Sequence, residues 1–136
     1  MSDTFDFEVH PDRLAIARLA AGSPLPAWAE PADAAAFVTV SQTRNELSIV
    51  CAQRQVPQGV RCERDKVMFG IAGVVPMTTI GLLAGLCARL AEAAVPVFVV
   101  STYDTDYLLV SADRFAAARS VLEAAGHRFV GELPAD

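Results

Sequence analysis

The sequence predicts an α+β fold in which one small unit is built twice, and three observations carry that prediction. From residue 67 to residue 132 the hydrophobic pattern alternates between short strand-like runs and two stretches of helical period, in the order strand, helix, strand, strand, helix, strand. The first half repeats that order with its helices much reduced. Residues 37–50 (FVTVSQTRNELSIV) also align without a gap on residues 97–110 (VFVVSTYDTDYLLV), sixty positions on, where Val40, Ser41 and Val50 meet Val100, Ser101 and Val110. Apolar strand, polar turn and apolar strand recurring in one order are the mark of an internal repeat. Two antiparallel sheets with helices on one face follow, in domains of residues 1–64 and 65–136.

Taken in order, residues 14–20 (LAIARLA) lie between Pro11 and the turn-rich AGSPLP, and their length and flanks suit a strand. Pro24, Pro26 and Pro31 surround Trp28; with φ fixed and amide donors missing, at most one helical turn forms there, and Trp28 is expected to plug the core. Residues 35–42 and 46–52 read as a hairpin around Thr43, Arg44 and Asn45, followed by a bridge at 53–57 and a short strand near 60–64. Residues 67–72 read as a further strand, ending at Gly73 and entering a loop that contains Pro76. Thr78 or Thr79 is placed to cap the helix that comes next. In it Ile80, Leu83, Leu86, Leu90 and Ala94 keep helical spacing, Arg89 and Glu92 mark the solvated side, and Pro96 ends it. Strands at 97–101 and 107–111 lead to Asp113 as the cap of a second helix over 114–125, closed by Gly126, and residues 128–132 supply the last strand. This is a ferredoxin-like order.

A chain of 136 residues suits one ordinary domain or two very small ones sharing a core. Its 53% hydrophobic and 20% charged composition supports a folded core and argues against disorder. A net charge of -5 leaves no clustered Lys and Arg for phosphate backbones or anionic lipid, so neither nucleic acid nor a membrane is an expected partner. Residues 80–100 are apolar, yet Arg89, Glu92 and Pro96 interrupt them as a membrane span. The amino terminus, MSDTFDFEVH, lacks the basic region of a secretory signal, and a cytoplasmic location is expected. Cys51, Cys62 and Cys87 are odd in number and without CxxC spacing, so they read as buried thiols in a reducing compartment.

Several strings carry a family resemblance. ELSIVCAQ at 46–53, STYDTDYLLV at 101–110, GLLAGLCARLAEAAVPVF at 81–98 and the closing AAGH at 124–127 resemble a bacterial branch of the ACT-domain proteins. The resemblance covers nearly the whole chain from about Leu14. It implies tandem ACT-like domains related to the regulatory part of aspartate kinases, and it extends to the arginine sensor that acts upstream of the mTOR kinase in animals. ACT domains bind small effectors, mostly amino acids, at interfaces between domains or subunits, and regulate without chemistry of their own. The resemblance places the ligand where the loop after the first strand meets the first helix, which here is Gly73, Val74, Val75, Pro76, Met77, Thr78 and Thr79. Members of this branch often carry an Asp followed by an aromatic in that loop, where this chain has Pro76 and Met77.

The residues support a pocket of that kind. A helix start offers free amides and a favourable dipole to a carboxylate, and Thr78 and Thr79 stand beside it. Asp104 and Asp106 can accept from an ammonium or a cationic side chain, with Ser101 and Thr102 adding hydroxyls. The alternative is that Asp104 and Thr105 only hold the hairpin turn through side-chain to backbone bonds. Tyr103 and Tyr107 suit packing better than stacking on a ligand, and Arg44 in the matching turn reads as solvated. His10 in a tail and His127 on the surface past a helix end face no nucleophile, Asp104 and Asp106 lack an apolar setting to separate their pKa values, and Asp104, Asp106 and Asp113 lack a calcium-loop pattern. The expectation is therefore a non-catalytic regulatory or sensor protein that needs no cofactor and no metal, binds a small molecule, an amino acid, through Val75, Pro76, Met77, Thr78, Thr79, Ser101, Thr102, Asp104 and Asp106, and forms a homodimer. The alternative function is a structural or protein-interaction module with a decayed pocket, which Pro76 and Met77 favour.

Overall fold

The computed structural model describes residues 4–136. Along them run β1 (Asp6–Val9), β2 (Leu14–Ala20), β3 (Thr39–Gln42), β4 (Glu46–Ala52), β5 (Cys62–Ile71), α1 (Leu82–Glu92), β6 (Phe98–Ser101), β7 (Asp106–Ser111), α2 (Phe115–Ala124) and β8 (Arg128–Val130). By its contacts the chain divides into one unit of residues 12–66 with 135–136, and another of residues 4–11 with 67–134. The boundary lies inside β5, and the amino-terminal segment groups with the later unit, whereas the sequence placed it in the first domain.

In the unit of residues 12–66 the strand order is β3-β4-β2-β5, and every pairing is antiparallel, the ferredoxin-like arrangement. Single 3-10 turns at Ala27–Ala29 and Gln53–Gln55 stand where the two helices would be. The Gln55 side chain ties these remnants together, donating to the carbonyls of Trp28 at 3.2 Å and Glu30 at 2.9 Å. Trp28 packs half-buried on a core of Ala15, Ala17, Leu47, Ile49, Cys51 and Val56, as a plug. Two short strands were expected between residues 60 and 72; the chain instead forms one, because a bulge at Arg64 and Asp65 absorbs an extra residue against β2. Asp65 sits there at φ +57, held by Gln53, whose Oε1 accepts its amide at 2.7 Å, and by Arg13 at 3.2 Å. Of the three cysteines, Cys51 is buried and burial pushes its thiol up, while Cys62 and Cys87 are half-buried rather than buried as expected.

In the unit of residues 67–134 the elements β5, α1, β6, β7, α2 and β8 follow the same order with full helices. β1 lies between the first and last strands of that order, antiparallel to β5 (Phe7↔Ile71) and parallel to β8 (Phe7↔Phe129). From sequence this segment reads as a tail, yet DFEV alternates, with Phe7 fully buried between exposed Asp6 and Glu8. Phe7 meets Phe69 at 5.3 Å and Phe129 at 5.2 Å between ring centroids, within a core that also holds Val67, Leu86, Leu90, Leu108, Phe115 and Leu122.

The helix ends correct three further expectations. α1 starts at Leu82 behind Gly81, whose φ of +78 only glycine adopts freely, so neither Thr78 nor Thr79 caps it. Ile80, expected on the apolar stripe, is 95% exposed ahead of the helix, and Leu82, Leu86 and Leu90 make the stripe instead. Asp113 lies in a 3-10 turn (Ala112–Arg114) that precedes α2 and caps nothing. Gly126 ends α2 as expected: at φ +100 it lets Gly126 N–H reach the Glu123 carbonyl (2.9 Å) and His127 N–H the Leu122 carbonyl (3.1 Å). α1 closes with the same pair of bonds through Ala94 at φ +58, a conformation costly to a residue with a Cβ.

His127, expected on the surface, is 8% exposed, stacked on Phe5 at 5.6 Å and edge-on to Phe7 at 5.3 Å. Its Nδ1 accepts the Phe5 amide at 3.0 Å. Burial, and then the charge of Arg89, lower its pKa from the usual 6.5. Because the folded chain holds the neutral ring while the unfolded chain titrates at the usual value, this contribution to stability is complete above pH 6.5 and is lost as pH falls through the lower folded-state pKa. We therefore expect the His127 ring to titrate by NMR with a midpoint below 6.5, and His127→Gln to flatten the fall in melting temperature on acidification. Ala94→Gly should relieve the left-handed strain and add about 1 kcal/mol of stability, raising the melting temperature by roughly 3 °C; a lower melting temperature would contradict that origin.

Candidate functional site

Two hairpins in the chain turn on the same device. In the first, Thr43 N–H donates to the Glu46 carbonyl at 2.9 Å and Thr43 Oγ1 accepts the Glu46 amide at 3.1 Å. In the second, Thr102 N–H donates to the Thr105 carbonyl at 2.9 Å and Thr102 Oγ1 accepts the Thr105 amide at 3.3 Å. Gln42↔Leu47 closes one hairpin and Ser101↔Asp106 the other, so Thr43 corresponds to Thr102, 59 positions on, rather than at the sixty of the gapless alignment. The corrected register sets Ile49 and Cys51 against Leu108 and Val110, core residues in both units. The turn is thus held by Thr102, where the sequence had offered Asp104 and Thr105.

Two bonds fasten the second hairpin to the loop after β5. Buried Thr105 donates through its hydroxyl to the Ile71 carbonyl at the end of β5, at 3.0 Å. The Asp104 carbonyl accepts the Val75 amide at 2.7 Å. Within the loop, Thr79 N–H donates to the Pro76 carbonyl at 3.0 Å and the chain turns into α1 at Gly81. Tyr107 packs its ring over Gly70, where a Cβ would meet ring carbons at 2.5 and 2.6 Å, so its position depends on that glycine.

Loop, hairpin and first turn of α1 enclose a cavity of about 330 Å³. Of the nine residues expected to bind a ligand, Val75, Pro76, Met77, Thr79, Ser101, Thr102 and Asp106 line it. Thr78 and Asp104 do not; Asp104 serves through its backbone carbonyl and borders a different cavity beside Gly70. Sequence reasoning missed Gly81, Leu82, Leu83 and Ala84 from the helix start, together with Tyr103 and Thr105. The signal for the first of these was the glycine after Thr-Thr-Ile, a residue able to take the left-handed conformation at a helix start.

Among the described lining residues Asp106 is the one charged side chain, and its Oδ1 accepts from the Ser101 hydroxyl at 2.6 Å. Among the described residues no side chain caps α1, so its first-turn amides and its positive dipole end remain for another acceptor. Met77 and Tyr103 line the cavity while 77% and 83% exposed. Arg44, in the corresponding turn of the other unit, is exposed. Among the described residues no cluster of His, Cys, Asp or Glu is arranged to hold a metal ion, and no helix is long and apolar enough to cross a membrane.

The model of the ACT domain matches residues 61–124, and the model of a separate amino-terminal domain matches residues 12–59. No curated protein matches the chain. Among solved structures, a protein from Agobacterium tumefaciens is 29% identical, with a TM-score of 0.88 and 99% of each chain covered. A protein of unknown function from Vibrio cholerae, a possible transport protein, is 17% identical with a TM-score of 0.71 over 89% of each chain. The regulatory subunit of aspartate kinase from Thermus flavus is 12% identical with a TM-score of 0.64, covering 92% of this chain and 99% of that one; the last two likenesses are of fold.

Losing the Thr105 hydroxyl would strand the Ile71 carbonyl, so Thr105→Val is expected to cost about 1–3 kcal/mol in denaturant unfolding. Thr78→Ala, which removes neither a cap nor a lining group, should stay within about 0.5 kcal/mol.

Proposed function

We propose, from the premise that this chain is an ACT-domain protein with the fold of aspartate kinase regulatory subunits, that it is a non-catalytic regulatory protein binding an amino acid in the cavity between the β5–α1 loop and the Ser101–Asp106 hairpin. One observation carries the reading: an uncapped helix start and a single carboxylate border the same cavity. The helix start suits an α-carboxylate, by its free amides and its dipole. Asp106, oriented by Ser101, suits an ammonium. Thr79 adds a hydroxyl for a polar side chain, while the Thr102 hydroxyl is engaged in the turn. The reading needs no cofactor, and a cytoplasmic setting suits it.

Two copies paired side by side would complete such a site. β6 is paired only with β7 among the described strands, leaving an open edge, and Phe98 on it is 39% exposed. Met77 and Tyr103, exposed at the cavity, would be covered by a partner. Light scattering should give twice the 14.4 kDa chain mass at working concentrations; a mass of one chain throughout would remove the dimer.

The second reading, a protein-interaction module with a decayed pocket, draws on the same exposed apolar residues, with Val74 at 74% and Ile80 at 95%, and on Pro76, which offers no amide. A thermal-shift screen against the twenty amino acids separates the two. A binder at 100-fold excess over its dissociation constant should add about 2.7 kcal/mol of stability. Asp106→Asn should then weaken binding about tenfold, by loss of a charge-assisted bond, while Arg44→Ala leaves it unchanged. No shift with any amino acid would favour the interaction module.

A further inference from the structure

A second cavity, of about 310 Å³, lies on another side of α1 and has the opposite electrostatic character. Phe5, Leu82, Leu86 and Ala125 give it apolar walls, and Thr79, Arg89 and His127 supply its polar side chains; among its described lining residues there is no carboxylate. Arg89 is exposed, and its guanidinium makes no ion pair among the described residues. His127 is nine-tenths buried, with Nδ1 occupied by the Phe5 amide. That bond places the ring proton on Nε2, and the Nε2–H meets no acceptor among the described residues. Burial and the charge of Arg89 both favour this neutral donor form.

Gly85 adds an independent observation. A glycine inside an 11-residue helix destabilises it relative to alanine, so its presence calls for a reason. Packing within the chain does not provide one, because a Cβ at Gly85 would meet nothing within 4 Å. Gly85 lines this cavity and keeps it clear, and it does not line the one beside Asp106.

We propose that this second cavity is a binding site for a small organic carboxylate with an apolar body, the carboxylate held between the Arg89 guanidinium and the His127 Nε2–H and the body against Phe5, Leu82 and Leu86. A planar guanidinium and an unpartnered ring N–H match the two oxygens of a carboxylate. Apolar walls at Phe5, Leu82 and Leu86 favour a carboxylate with an apolar body over a fully hydrated anion such as phosphate. The two cavities share Thr79, Gly81 and Leu82 along the run into α1, but Gly85, Arg89 and His127 line only this one, so the site does not rest on the amino-acid reading.

The test follows the His127 ring signals by NMR while the 136-residue chain is titrated with isovalerate, with its neutral amide isovaleramide, and with inorganic phosphate. Isovalerate should give a saturable shift, with the amide and phosphate at least tenfold weaker. Arg89→Gln should weaken isovalerate at least tenfold and Gly85→Leu should abolish its binding, both at exposed positions where the fold tolerates change, while Asp106→Asn leaves it unaltered. Absence of saturation, equal binding of the amide, tighter binding of phosphate, or wild-type affinity in both Arg89→Gln and Gly85→Leu would each overturn the site. Loss of isovalerate binding in Asp106→Asn with retention in Arg89→Gln would move it to the amino-acid cavity and overturn it too.

Discussion

The hydroxyl of Thr105 on the carbonyl of Ile71 is the bond on which the candidate site depends. It is buried, it joins the end of one strand to a turn 34 residues later, and it fixes where the hairpin stands relative to the loop that leads into α1. The Val75 amide on the Asp104 carbonyl then holds the loop against the hairpin. With those two attachments, the uncapped start of α1 and the carboxylate of Asp106 border one volume rather than two separate surfaces. Neither bond involves a side-chain group assigned to the proposed ligand, so the frame does not depend on one.

The two units solve the same topological problem with different means. In residues 67–134 the helices bury Leu86, Leu90, Ala118 and Leu122 over the sheet, and β1 widens that sheet while bringing Phe7 into an aromatic core. In residues 12–66 prolines prevent helix growth, and Trp28, Val56 and Ala29 cover a smaller core beneath 3-10 turns tied by Gln55. The hairpins nonetheless keep the same threonine-held turn, which marks the relation between the units more firmly than their identities in sequence do.

The order of elements was legible because strand and helix periods differ strongly around Leu82, Leu86 and Leu90 and along β4 and β7. The loop after β5 and the second hairpin were legible as polar clusters beside apolar strands, and most of the residues named there do line one cavity. What the sequence concealed was set by tertiary pairing. Four residues are too short a run to announce β1 when its partners lie 60 or more positions away, and without β1 nothing signals that His127 is buried. The sixty-residue alignment matched identities, whereas the turn threonines define the register one residue shorter. Thr78 and Thr79 suited a cap by residue type, yet the chain needed a left-handed residue there and placed Gly81 at the helix start.

The most direct measurement is a crystal structure with the amino acid that most stabilises the protein. The account predicts its carboxylate on the first-turn amides of α1 and its ammonium on Asp106, with Ser101 still donating to that carboxylate. An amino acid bound away from Asp106, with the cavity between the loop and the hairpin unused, would contradict it.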